Sequence, residues 1–254
     1  MEVDVLPVGG RLVTAASLEG AAQRQDSAKT EASLALSWSG GKDSALALLT
    51  LRSEFGRDPG VLITTVTDAY NRISMHGVRR ELLALQAQEL GIPLVEVLIP
   101  LACSNEVYDS RMQEAFASER LRSVAEVAFG DLFLEEVRAY REGRLASAGK
   151  HGLYPLWGRD TSQLARDFIK AGFQAVLVCV DPRKLDSAFA GRSYDERLLA
   201  ELPPEVDPCG ENGEFHTFVH GGPIFRRPIA CAIGDIVVRE GFVFADINAA
   251  SGVA

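Results

Sequence analysis

The run Leu34-Ala35-Leu36-Ser37-Trp38 is apolar except for one serine and halts at the pair Gly40-Gly41. From Ser44 the apolar positions resume as Ala45-Leu46-Ala47-Leu48-Leu49, with helical character. The order is strand, loop, helix, and the alternation then repeats. Val61–Val66 reads as a second strand, Gly77–Leu90 as a helix with Val78, Leu82, Leu85 and Leu90 on one face, and Leu94–Ile99 as a third strand. Gly91 and Pro93 punctuate the end of that helix. A helix over Glu106–Arg122 leads to a fourth strand at Val124–Phe129. After Gly130-Asp131 another helix covers Leu132–Glu142, and Tyr154–Trp157 is expected as a short fifth strand.

Strands separated by helices of this length predict an α/β fold, a Rossmann-like doubly wound parallel sheet joined by right-handed crossovers. The pattern loosens after Gly158. Thr161–Ala171 is an amphipathic helix with Leu164 and Phe168 inward, and Ala175–Val180 is a strand. Beyond Pro203, Gly and Pro are frequent around short β-rich runs at Phe215–Val219, Ile236–Val238 and Phe242–Phe244. The expected organisation is a weakly ordered extension over 1–32, a nucleotide-binding domain over 33–158 and a smaller α+β C-terminal domain over 159–254 that meets the substrate. No internal repeat is visible.

Composition narrows the class. The 26 basic residues against 35 acidic ones give a formal charge of −9, which argues against a broad nucleic-acid footprint. No apolar run approaches the ~20 residues that span a bilayer, and the first residues lack a secretory pattern, so the expected location is the cytoplasm. Cys103, Cys179, Cys209 and Cys231 contain no C-x-x-C pair, so neither a zinc knuckle nor a dithiol motif is expected. His216 and His220 stand four apart in a segment read as strand and turn, where that spacing gives no shared face for a metal.

The candidate chemistry lies in Ser39-Gly40-Gly41-Lys42-Asp43-Ser44. Two glycines let the backbone turn tightly and offer N–H groups to an anion, and the helix beginning near Ser44 points its positive end to the same place. Lys42 adds a full charge, and Ser39 and Ser44 add hydroxyls. Such a loop suits a triphosphate. It differs from the phosphate loop of kinases and GTPases because Asp43 follows the lysine where a magnesium-binding hydroxyl would stand. Asp43 reads as a magnesium contact between itself and the phosphates, or else as a helix cap.

Asp131, at the end of a parallel strand, is either a ligand contact or a cap. Glu211 and Glu214, acidic residues among glycines, are either turn residues or contacts to magnesium, ammonium or a cationic substrate. His76 follows the second strand, in the region where adenine-binding loops of such folds are found.

The loop resembles the signature of the N-type ATP pyrophosphatases, the adenine nucleotide alpha hydrolase-like superfamily. Met75-His76-Gly77, Phe129-Gly130-Asp131, Pro155-Leu156-Trp157-Gly158 and Asp207–Thr217 together look like its diphthine-ammonia ligase branch, over about residues 34–220. The resemblance implies cleavage of ATP between the alpha and beta phosphates. A carboxylate would be adenylated with release of pyrophosphate, and ammonia would then displace AMP. It also implies ATP contacts from Ser37, Ser39, Gly40, Gly41, Lys42, Asp43, Ser44, His76, Gly130 and Asp131, with Lys42, Asp43 and Ser44 catalytic. Acceptor contacts would come from Trp157, Glu211, Asn212, Glu214, His216 and Thr217.

In that branch the acceptor is a modified histidine of elongation factor 2. Members that make diphthamide carry an acid where this chain has His216, a departure that resembles the bacterial branch and leaves another protein or small-molecule carboxylate open as acceptor. Free ammonia is the expected nitrogen source, since no glutaminase segment is recognisable in the sequence, and a homodimer is left open. The competing expectations are an RNA-thiolating enzyme of the same superfamily and a nucleotide-holding module without turnover.

Overall fold

A computed structural model describes residues 33–68, 72–73 and 77–250. The expected extension over 1–32 and the candidate His76 lie outside the described residues. Six strands form the first sheet: β1 (Leu34–Ser37), β2 (Val61–Thr67), β3 (Arg72–Ile73), β4 (Leu94–Ile99), β5 (Glu126–Ala128) and β6 (His151–Leu153). Five of them run parallel in the order β4-β2-β1-β5-β6, with Leu36 beside Leu62 on one side and Ala128 on the other. The short β3 adds antiparallel to the end of β2. A central strand in such a sheet is covered on both faces, which is why β1 is apolar at consecutive positions rather than at alternate ones. Leu34 and Leu36 pack into one apolar cluster and Ala35 into the other.

Between the strands run α1 (Lys42–Ser53), α2 (Arg80–Leu90), α3 (Asn105–Ala117) and α4 (Glu135–Ser147). After β6 come α5 (Thr161–Lys170), β7 (Gln174–Val180), α6 (Glu196–Glu201), β8 (Phe215–Gly221), β9 (Cys231–Arg239) and β10 (Phe242–Ala249). The last four strands make a separate antiparallel sheet in the order β8-β7-β10-β9. One buried cluster runs without a break from Leu36, Trp38 and Leu82 to Phe168, Phe218 and Ile247, so the face of the parallel sheet and the C-terminal sheet share a core. Among the described residues no helix is long and apolar enough to cross a membrane.

The fifth parallel strand is His151–Leu153, not Tyr154–Trp157. Pro155 lacks the N–H a ladder requires, and Trp157 closes a turn onto the Tyr154 carbonyl at 3.2 Å. The aromatic residues that suggested a strand are wall residues: Tyr154 stacks on Phe129 at 5.6 Å and meets Trp157 edge-on at 5.9 Å. The fourth helix starts at Glu135, three residues later than the pattern suggests, because Leu132 is fully buried and its backbone N–H is held by the Glu211 carboxylate at 2.9 Å. The third helix stops at Ala117, short of the expected Arg122. The short α6, which the apolar pattern does not announce, starts where the Asp195 side chain accepts the Leu198 N–H at 2.8 Å.

Candidate active site

The loop after β1 is built by its glycines and fixed by the other sheet. Gly40 has φ +77°, and a β-carbon there would meet the Gln86 side chain at 2.8 Å. Gly41 is the extended residue that opens α1. Its carbonyl takes the Ser44 hydroxyl at 2.9 Å, and the Ser39 and Ser44 hydroxyls face each other at 3.3 Å. From β8, Thr217 Oγ1 accepts the Lys42 backbone N–H at 3.0 Å, and the Val219 N–H reaches the Gly40 carbonyl at 2.9 Å. From α2, the fully buried Gln86 donates to the Gly40 and Val219 carbonyls at 3.1 and 2.6 Å while accepting from Trp38 Nε1 at 2.9 Å. Helix geometry leaves the N–H groups of Asp43 and Ser44 without intrahelical acceptors, at the positive end of the macrodipole.

Gly130, after β5, lies so near this helix start that a β-carbon on it would sit 2.7 Å from the Asp43 carbonyl carbon and 3.0 Å from the Ser44 nitrogen. Beside it, Asp131 and Arg141 form an ion pair at 2.7 Å, and Arg141 lies over the Phe129 ring at 4.4 Å.

These residues surround two adjoining cavities at the carboxyl ends of the parallel strands, where open α/β sheets gather ligands. One, of about 220 Å³, is lined by Ser39, Lys42, Asp43, Ser44, Gly130, Asp131, Cys209, Gly210, Glu211, Phe215, His216 and Thr217, among others. The other, of about 430 Å³, reaches over Ile63, Thr64, Thr65 and Ile99 to Tyr108, Met112 and Phe116 on α3. Ser37, Ser39, Phe129 and Arg141 line both.

The electrostatics follow from burial and neighbours. Burial opposes the charge of Lys42, but the Asp43 carboxylate 2.5 Å from Nζ, with Cys209 and Glu211 nearby, more than offsets it, and the ammonium is held above its ordinary range. Burial pushes the Asp43 carboxyl up against the pull of Lys42. Burial also drives Glu211 up to about 7, although the Leu132 N–H stabilises its charged form and Asp43 adds repulsion. His216 is driven down to about 4 by burial and by Lys42, so its imidazole is neutral near pH 7. Burial pushes the Cys209 thiol up to about 12, and the thiol lies 3.3 Å from the Thr161 carbonyl.

Of the sequence candidates, Ser37, Ser39, Lys42, Asp43, Ser44, Gly130, Asp131, Glu211, His216 and Thr217 converge on these cavities. Gly40 and Gly41 shape the loop behind them. Asn212 is exposed, and the buried Glu214 closes a turn by accepting the Asp207 N–H at 3.0 Å and the Asn212 amide at 3.2 Å, so neither lines the cavities. Trp157 packs under Arg138, whose guanidinium lies 4.7 Å from both the Trp157 and Tyr154 rings. Sequence inspection missed Phe129 as a shared wall, and with it Arg141, Cys209 and Gln86. Gln86 left one trace: it interrupts the stripe Leu82, Gln86, Leu90 on the buried face of its helix. Among the described residues no group of three His, Cys, Asp or Glu is arranged to hold a metal by itself.

The diphthamide synthase N-terminal domain model matches residues 32–151, and the corresponding C-terminal domain model matches 160–253. The diphthine–ammonia ligase of Schizosaccharomyces pombe is 26% identical over 227 residues, 78% of this chain and 36% of that protein. The human enzyme of the same name is 32% identical over 97 residues, 36% of each chain, so the alignments reach little more than a third of these two relatives. The zebrafish (Danio rerio) one is 26% identical over 232 residues, 83% of this chain and 90% of that one. A crystal structure titled a predicted subunit of tRNA methyltransferase from Methanocaldococcus jannaschii aligns with 75% of this chain and 97% of its own at 18% identity and a TM-score of 0.40, too weak a likeness to bear on fold or function. With both halves of the family pattern falling in order along one chain, over the loop and over the strand that braces it, the protein belongs to the diphthamide synthase family.

Proposed function

We propose that the chain is an ATP-dependent amide-forming ligase, a reading supported by relatives named diphthine–ammonia ligase. The observation that carries this reading is the joined pair of cavities: a larger, mainly apolar one for the nucleoside and a smaller polar one around Lys42 for the phosphates. Their shared wall of Ser37, Ser39, Phe129 and Arg141 is where the alpha phosphate, the link between nucleoside and pyrophosphate, would lie. The N–H groups at the start of α1, the Ser39 and Ser44 hydroxyls and Lys42 are the donors suited to the leaving pyrophosphate. Magnesium fits as a companion of the nucleotide, held by phosphate oxygens and water with Asp43 as a protein carboxylate, and it would neutralise charge on the phosphates.

In this reading an acceptor carboxylate oxygen bonds to the alpha phosphorus as the bond to the beta-phosphate oxygen breaks and pyrophosphate leaves. Ammonia then bonds to the acyl carbon, the carbon–oxygen bond to AMP breaks with its electron pair, and the nitrogen sheds a proton. Glu211, titrating near 7 in the phosphate cavity, is suited to take that proton. Asp131 holds Arg141 beside the junction. His216, neutral near pH 7 where the family resemblance implies an acid, favours an acceptor other than elongation factor 2, either a small molecule or another protein. RNA thiolation fits less well, because the cysteine in the cavity around Lys42, Cys209, is held as a thiol far above neutral pH.

Incubation with ATP, magnesium, ammonium and a panel of carboxylate acceptors should release AMP and pyrophosphate in equal amounts with one acceptor. ADP as the nucleotide product would refute the mechanism. Saturable nucleotide binding without turnover on any acceptor would favour a holding module.

A further inference from the structure

β9 forms an edge of the C-terminal sheet, and its exposure is unusual for an apolar strand: Ile236 is 52% exposed and Val238 72%. It is joined to β10 by the two-residue turn Glu240-Gly241, both with positive φ, and Arg239 faces Phe242 across it. In an antiparallel ladder the pair flanking such a turn is hydrogen-bonded, and the pattern alternates from there. Arg239 and Val237 therefore turn their backbone groups toward β10, and Ile236 and Val238 turn theirs outward. The ladder shifts register between Ala245 and Ile247, opposite Gly234-Asp235, so the regular outer edge is the segment 236–239 and Asp235 adjoins it at the bulge.

We propose that this edge pairs with the same edge of a second copy, antiparallel about a two-fold axis at Val237, joining two four-stranded sheets into one of eight. In that register Ile236 of each copy faces Val238 of the other, so both outward-turned pairs exchange N–H and C=O bonds and the exposed apolar side chains cover each other. On the opposite face Asp235 of each copy meets Arg239 of the other. Neither residue forms an ion pair within its own chain among the described residues, although Arg–Asp pairs recur elsewhere in the chain. Shifting the axis by one residue either way removes the charge match: Arg239 would then face Ile233, or Asp235 would face Gly241. The charges thus select the register that the outward backbone groups permit, as self-complementary two-fold interfaces require. This inference does not depend on the reaction proposed above.

Sedimentation velocity on the full chain across a concentration series tests it. The wild type should show a concentration-dependent dimer. Asp235→Arg and Arg239→Asp should each weaken it by roughly tenfold or more, since each places two like-charged pairs across the axis, and the double exchange should restore it. Far-UV circular dichroism and thermal melts confirm that each variant folds. A monomer at every concentration, a dimer indifferent to the single reversals, or a double exchange that fails to restore association would each overturn the proposal.

Discussion

Replacing Gln86 by leucine is the sharpest test of how the phosphate loop is held. The side chain is fully buried and serves three partners: the Trp38 indole N–H, the Gly40 carbonyl and the Val219 carbonyl. Leucine is close in volume, so a cavity contributes little and the loss is that of hydrogen bonds. The Gly40 carbonyl keeps the Val219 N–H at 2.9 Å and is only half deprived. The Trp38 N–H and the Val219 carbonyl are stranded in the core, each at a cost of about 1–3 kcal/mol, for a total near 3 kcal/mol. At about 2–4 °C per kcal/mol for a chain of this size, the melting temperature should fall by about 6–12 °C, and ATP should protect the variant less than the wild type. Thermal unfolding followed by far-UV circular dichroism, with and without ATP, reads both effects. Adding Trp38→Phe removes one of the stranded groups, so the two substitutions together should cost about 1 kcal/mol less than their sum. A drop below about 2 °C for Gln86→Leu, or strict additivity of the pair, would refute the account.

Three further outcomes follow from the site. Lys42→Ala should slow AMP formation by about two orders of magnitude or more, measured by single-turnover kinetics, and unchanged turnover removes the lysine from the mechanism. Gly130→Ala should abolish saturable ATP binding in calorimetry, because the new methyl meets backbone atoms of Asp43 and Ser44 that cannot move without displacing the start of α1. Glu211 titrates near 7 in the folded chain against an ordinary 4.5, so between those values the folded state keeps a proton that the unfolded state has released. Its contribution favours folding below pH 4.5 and is lost as the pH rises through 7. Glu211→Gln should therefore flatten the decline in stability between pH 5 and 8 in urea titrations, and an unaltered pH dependence would show that the carboxyl is not held protonated.

What the sequence determined by itself was whatever local pattern and backbone chemistry dictate. Consecutive apolar positions at Leu34–Leu36 and Val61–Ile63 mark strands covered on both faces, and Gly40 before Gly41-Lys42 fixes a turn at the positive φ that glycine adopts most easily. Thr217 and His216 stood out through the resemblance of their segment alone, and the structure places both on the cavity around Lys42. The roles of Gln86, Arg141 and Cys209 were decided only by tertiary structure: Gln86 acts through Gly40 and Val219, far away in sequence, and Arg141 turns back from α4 onto Asp131 and Phe129 at the end of β5. The same holds for the mistaken strand at Tyr154–Trp157, whose aromatic residues serve as a wall for Phe129 and Arg138. Propensity records what a segment prefers alone, whereas the late start of α4 records that the Leu132 N–H is claimed by Glu211, 79 residues away.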